Sequence, residues 1–181
     1  MAVWIGSDFH WGHKNVMTFC PETRARFNND IQVMNDAMVQ EWNAKVQPED
    51  IVYILGDVAF LSAEKATEIM CKLNGHKILI EGNHDYKNLK DPKFRACFAE
   101  VYQYLKIKHD GHACILSHYP FLEWDGMHRG SLHFHGHLHG NTSGLEKFRA
   151  MDVGMDSTGQ ILIELSEAIG RIKDNAIKQH H

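Results

Sequence analysis

The chain of 181 residues has only four cysteines and four prolines. Cys20, Cys71, Cys97 and Cys114 never stand two to four residues apart, so the paired spacing of a structural zinc site is missing. They read as reduced thiols of a cytoplasmic protein. No apolar run approaches the length of a membrane span. The N-terminus has no basic segment followed by an apolar stretch, so no signal peptide is expected. Positive charge is scarce too: 19 Lys and Arg stand against 23 Asp and Glu, a formal net charge of −4. A coat or clamp on nucleic acid needs a basic excess. That class is excluded, whereas a nuclease touching few phosphates is not. No repeat and no Gly/Ser linker occurs, and one domain spanning 1–181 is expected. G-x-S-x-G, P-loop and paired-Cys motifs are absent as well.

Histidine, by contrast, is abundant, with 14 copies. His180 and His181 read as a tail, but the others are internal and clustered. The apolar pattern places them. Val3 to Ser7 reads as a strand, residues 29–46 as a helix capped by Asn29 or Asp30, and Ile51 to Leu55 as a buried strand. Ser62 to Leu73 reads as a second helix and Lys77 to Glu81 as a third strand. This β-α-β-α-β order predicts a mainly parallel sheet. In the second half, Val101 to Lys108 and His112 to Ser117 flank Asp110-Gly111, a hairpin signal. Residues 132–136, 150–153 and 161–165 read as further strands. A last helix with Ile169, Ile172 and Ile177 on one side closes the chain. The surplus of strands predicts a second sheet packed on the first.

Five polar clusters fall where strands should end: Ser7-Asp8-Phe9-His10 with His13 behind it, Gly56-Asp57-Val58, Gly82-Asn83-His84-Asp85, Ser117-His118-Tyr119-Pro120, and His135-Gly136-His137-Leu138-His139-Gly140. Ligands of open α/β sheets collect at the carboxyl ends of strands, so residues distant in sequence would meet there. Carboxylate, imidazole and amide oxygen suit Mn, Fe, Ni or Zn, and no thiolate is among them. Asp8 and His10 stand two apart, as do His137 and His139, and in an extended segment each pair would point to one side. Each residue alone is an ordinary cap or turn residue. Seven compatible donors in sequence order argue for a metal centre. His13, Lys14, His128 and Arg129 are candidates for binding a phosphate, and His13 and Arg129 are kept as substrate-binding candidates. His135 reads equally as a support for the neighbouring histidines or as packing.

In these five motifs and their order the sequence resembles the calcineurin-like metallophosphoesterases, in particular the short, cap-free bacterial and phage members. Gly82-Asn83-His84-Asp85 and Gly136-His137-Leu138-His139 are the most specific parts. Val153-Gly154-Met155-Asp156 resembles a stretch that often follows the last histidine motif. The resemblance implies a four-layer α/β/β/α sandwich of two mixed β-sheets flanked by helices. It also implies two divalent transition-metal ions, with Mn favoured for activity. Asp8, His10 and His139 would hold one ion, Asn83, His118 and His137 the other, and Asp57 both. His84 and Asp85 would be catalytic, His84 facing the substrate and Asp85 orienting it. One departure is visible. Many members have Gly-Asp-x-x-Asp at the second motif, and here Phe60 stands at the last position.

The implied activity is hydrolysis of small phosphodiesters by a metal-bridging hydroxide, with His84 as general acid. Phosphomonoesterase, nucleotide pyrophosphatase and nuclease activities fit the same residues, and a nucleotide or oligonucleotide is a possible substrate. A non-catalytic scaffold on the same fold is the rival from another class, and the complete donor set counts against it. No membrane partner is expected, and the oligomeric state cannot be read from the sequence.

Overall fold

A computed structural model describes residues 1–179, so His180 and His181 lie outside the described residues. In chain order the strands are β1 (Val3–Gly6), β2 (Ile51–Ile54), β3 (His76–Ile80), β4 (Glu100–Tyr102), β5 (Tyr104–His109), β6 (His112–Ser117), β7 (Leu132–His135), β8 (Ala150–Asp152) and β9 (Ile163–Glu164). The α-helices are α1 (Val16–Phe19), α2 (Pro21–Arg24), α3 (Ile31–Lys45), α4 (Ala63–Met70), α5 (Pro92–Arg95), α6 (Met155–Thr158) and α7 (Leu165–Ile172).

Two sheets form, in the orders β4-β3-β2-β1-β9 and β5-β6-β7-β8. Both are mixed. In the first, β1 to β4 run parallel and β9 is antiparallel to β1. In the second, β5 is antiparallel to β6, while β6, β7 and β8 run parallel. Alternation along each strand decides what lies where. Val52, Ile54 and Leu79 pack with Met34, Met38 and Trp42 of α3 and Met70 of α4. Ile5, Leu55 and Ile80 turn the other way and meet Leu116 and Phe134 of the second sheet and Ile169 of α7. The far face of the second sheet is covered thinly, by loops and one 3-10 turn carrying Trp124, Met127 and Leu145. Each large apolar side chain so buried stabilises the fold by roughly 1.5–3 kcal/mol.

Local signals account for most boundaries. Asp30 caps α3 by accepting from the backbone N–H of Gln32 and Val33, and Ser62 caps α4 through Lys65. Asp110 (φ 47°) and Gly111 (φ 81°) are both left-handed, as a two-residue hairpin turn between twisted strands requires. Four expectations need correction, the first being the strand over 161–165, which holds only Ile163–Glu164 before Leu165 opens α7. The segment read as one strand over 101–108 breaks at Gln103. Glu100–Tyr102 pair with β3 in the first sheet, and Tyr104 onward pairs with β6 in the second. Helix α4 stops at Met70, before Leu73. Helix α7 stops at Ile172, and Ile177 is exposed beyond it. No described helix is long and apolar enough to cross a membrane.

Candidate metal centre

Because β1, β2 and β3 run parallel, their carboxyl ends share one edge. The chain leaving β1 stays zipped to the chain leaving β2: the N–H of Asp8, His10 and Trp11 donate to Gly56, Asp57 and Val58, each at 3.1 Å. The backbone there is not extended, contrary to the simple spacing argument. Asp8 (φ 58°), His10 (51°), Asp57 (55°), His137 (75°) and His139 (49°) all occupy the left-handed region. Side chains with a Cβ adopt it at a cost. The i, i+2 pairs thus converge through two left-handed kinks rather than through a pleat. Glycine is required where loops touch. A Cβ on Gly136 would collide with Ser7 Oγ and Asp8 Oδ2, and one on Gly82 with Asp57.

All seven donors expected from sequence come together. His10 Nε2 lies 3.1 Å from His139 Nε2, which is 4.0 Å from Asp8 Oδ1. His118 Nε2 lies 2.9 Å from Asn83 Oδ1 and 3.2 Å from His137 Nδ1. Asp57 stands between the two sets. Its Oδ2 is 3.5 Å from His10 Nε2, and its Oδ1 is 3.6 Å from His118 Nε2. Asp8, His10 and His139 can hold one metal ion, and Asp57, His118 and His137 another. The chemistry fits a cation. Asp8 Oδ1 is buried without a hydrogen-bond partner, since the N–H of His137 donates to Oδ2. Burial pushes the Asp8 carboxyl up to about 8, so its anion lacks compensation from the protein alone.

In two of the four histidines the remaining ring nitrogen has a support, as metal-binding imidazoles do, whereas His10 Nδ1 is buried without a hydrogen-bond partner. His118 Nδ1 donates to the Leu55 carbonyl at 2.7 Å, which leaves Nε2 as the acceptor. His139 Nδ1 meets Asp156 Oδ2 at 2.7 Å. Asp156 is in turn gripped by Arg24, whose Nε and Nη2 donate to its two oxygens at 2.7 and 2.8 Å. The fully buried Arg24 also donates to the carbonyls of Asp8 and Phe9, at 2.6 and 2.9 Å. Burial disfavours charge on His139, but Asp156, Cys20 and Asp8 outweigh it and push the imidazole up to about 10. Burial lowers His10 to about 2 and also lowers His118 and His137.

Arg24 and Asp156 were missed as parts of the site. Asp156 lies in the stretch Val153-Gly154-Met155-Asp156, but nothing there assigned it to His139. Nothing in the sequence separates Arg24 from Arg26, which pairs with Glu41 at the surface.

The other candidates are placed as follows. His84 is 42% exposed in its side chain, and its Nε2 is 3.8 Å from Asp57 Oδ2. Asp85 does not orient the His84 ring. Both its oxygens accept backbone N–H groups, from Asp57 and Gly82 at Oδ2 and from Val58 at Oδ1. It ties two ligand loops together, and burial pushes its pKa up to about 7. His13 stacks on Phe60, with ring centroids 4.1 Å apart, at the rim of the centre. Arg129 is a correction. It lines a hollow with Gly111, His112 and Arg149, at the amino ends of β6 and β8, whereas the donors follow the carboxyl ends of β6 and β7. The 3-10 turn that carries it precedes β7 and so belongs to the opposite edge. His135 is buried, with Nδ1 on the Gly136 carbonyl at 3.0 Å. A hollow of about 830 Å³ opens on the Nδ1 side of His139 beside Cys20 and Asp156.

The calcineurin-like phosphoesterase family model matches residues 1–176. The chain belongs to this family. Among relatives of this calcineurin-like phosphoesterase, the uncharacterized protein MJ1445 of Methanocaldococcus jannaschii is 33% identical over 141 residues, covering 77% of the chain and 70% of the relative. The gene 66 protein of Mycobacterium phage D29 is 27% identical over 201 residues, with 95% and 98% covered. A solved structure of a protein of unknown function, AQ665 from Aquifex aeolicus, is 26% identical with a TM-score of 0.71, covering 94% of the chain and 99% of that protein. Family membership and the His/Asp donor groups make the chain a metal-dependent hydrolase of phosphoric esters.

Proposed function

We propose that this phosphoesterase works with two divalent ions and acts on small phosphodiesters. The observation that carries the reading is Asp57, which turns one carboxylate oxygen to each donor set. Asp8, His10 and His139 would share one ion with it, and Asn83, His118 and His137 the other. Bound there, the ions supply Lewis acidity and activation of water at neutral pH. The donors are oxygen and nitrogen without thiolate, which supports Mn first, with Fe, Ni and Zn as alternatives. His84 lies at the rim with Nε2 3.8 Å from Asp57 Oδ2 and would protonate a departing ester oxygen. The open rim supports a substrate with groups on both sides of phosphorus. Four free thiols support a cytoplasmic location.

The test is elemental analysis followed by a turnover screen of the Mn²⁺-loaded protein on diesters, monoesters, dinucleotides and nucleoside polyphosphates. Near two ions per chain and highest kcat/KM on diesters are expected. Binding of one ion at saturation would sink the dinuclear reading, and preference for monoesters or polyphosphates would replace the diester.

A further inference from the structure

A hollow of about 330 Å³ opens beside the candidate metal centre, with Phe60, Leu61, His84, Tyr86 and Lys87 among its walls. That volume lies at the low end of ligand pockets. Two of its walls are aromatic rings open to solvent: Phe60 is 41% exposed and Tyr86 48% exposed. Phe60 is also held in position. Its N–H donates to the Trp11 carbonyl at 2.8 Å, and its ring lies 4.1 Å from that of His13 and 4.4 Å from that of His84.

At position 60 the chain carries a phenyl ring and no charge. An aspartate there would put negative charge beside an incoming phosphate. A phenyl ring removes that charge and offers a flat apolar face. Next to it, Lys90 and Lys87 stand 5.4 and 5.9 Å from the centre of the Tyr86 ring. Neither lysine forms an ion pair among the described residues. In a chain of net charge −4, two lysines therefore stand together beside the Tyr86 ring.

We propose that this hollow is the leaving-group subsite and takes a nucleotide unit, with its base against Phe60 and Tyr86 and its further phosphate beside Lys87 and Lys90. The assignment to the leaving side rests on the phosphoesterase reading, because His84 is both a wall of the hollow and the proton donor of that reading. In the step, a water oxygen bonds to phosphorus and the P–O bond to the nucleotide's ribose oxygen breaks. His84 gives that oxygen its proton, and the proton lost by the water passes to solvent, from which His84 is recharged.

The test is calorimetric binding of three probes to the Mn²⁺-saturated full chain: glycerol 3-phosphate, adenosine 5′-monophosphate and adenosine 3′,5′-bisphosphate. The base should tighten binding on the order of ten-fold over glycerol phosphate, the range of a stacked base. The second phosphate should tighten it a few-fold more, and only at low salt. Phe60→Ala should bring the ratio of the first two probes near one, and Phe60→Tyr should restore it. Lys87→Ala with Lys90→Ala should abolish the gain from the second phosphate alone. Tyr86→Ala decides the matter if Phe60→Ala does not fold. Equal binding of the first two probes by the wild type would overturn the proposal. So would a ring preference that survives both Phe60→Ala and Tyr86→Ala. Turnover of diesters without ring preference removes the subsite and leaves the hydrolase, whereas ring preference without turnover of any ester removes the hydrolase and leaves a nucleotide site.

Discussion

The two donor sets are built differently. Asp8 and His139 lean on a buried ionic brace, in which Arg24 holds Asp156 and Asp156 holds the His139 ring. His118 leans on a neutral backbone carbonyl, that of Leu55. Their protonation differs accordingly. In the metal-free chain Asp8 is pushed up to about 8 and His139 to about 10, so both carry protons at pH 7. His118 and His137 are shifted down and stand neutral, ready to donate lone pairs. One set must therefore be deprotonated to bind, and the other is prepared in advance.

Removing the residue common to both sets should do most damage. Asp57→Asn should release both ions and cut turnover by well over the roughly 10–100-fold typical of losing a supporting residue. Metal content and kcat at saturating Mn²⁺ report this directly, and near-normal turnover would refute the shared role. His84→Ala should spare both sets, keeping two ions while kcat falls roughly 10²–10⁴-fold. A nitrophenolate leaves readily as an anion, so its release should suffer less than that of a ribose oxygen. Equal losses on both would give His84 a role in binding phosphate instead.

Asp156→Asn should separate the sets, weakening one ion by roughly 10–100-fold and leaving the other in place. Competition with a graded chelator would reveal a single weakened site, and two equally weakened sites would erase the contrast. Its partner variant Arg24→Leu strands a buried carboxylate and should cost roughly 3–5 kcal/mol in denaturant unfolding.

Protons sharpen the contrast further. Filling the first set at pH 7 should release up to two protons, from Asp8 and His139, and filling the second none from its histidines. Calorimetry in buffers of different ionisation enthalpy measures this. The sign extends to stability. Both folded-state pKa values lie above the ordinary 3.8 and 6.5. Below about pH 6.5 the lowered His10, His118 and His137 act the other way, because the unfolded chain protonates them and the folded one does not; above it the folded metal-free chain binds more protons than the unfolded one and should lose stability as pH rises from about 7 through 8 towards 10. A metal-loaded chain should lack that decline. The smallest effect belongs outside both sets: Arg129→Ala should leave kcat/KM on small diesters unchanged.

What the sequence disclosed follows what is local. Strand ends marked by Asp, Asn, His and Gly were legible because ligands and tight turns impose residue types at fixed positions. The parallel half of the fold was legible from alternating strand and helix patterns. Gln103 was not, because the residues on both sides of it favour strands and only pairing with β3 or β6 assigns them to different sheets. Arg24 was illegible for a related reason: its task is set by Asp156, 132 positions away. Asp85 is expected as a partner of His84, yet its carboxylate accepts the N–H groups of Asp57 and Val58 in another loop and of Gly82 in its own. Arg129 looked like a phosphate ligand by charge alone, and charge does not say which end of a strand it adjoins.

The left-handed donors carry a consequence for how this protein tolerates change. Asp8, His10, Asp57, His137 and His139 each hold a conformation that glycine adopts freely and other residues adopt at roughly 1–3 kcal/mol. A library selected only for resistance to heat or protease, without metal, should accept glycine at these positions more readily than at neighbouring strand positions. The same library selected for turnover should reject glycine at all five. Subtracting one selection from the other would outline the donor cluster with no substrate known in advance, because only a role in chemistry would hold these residues against the preference of their own backbone.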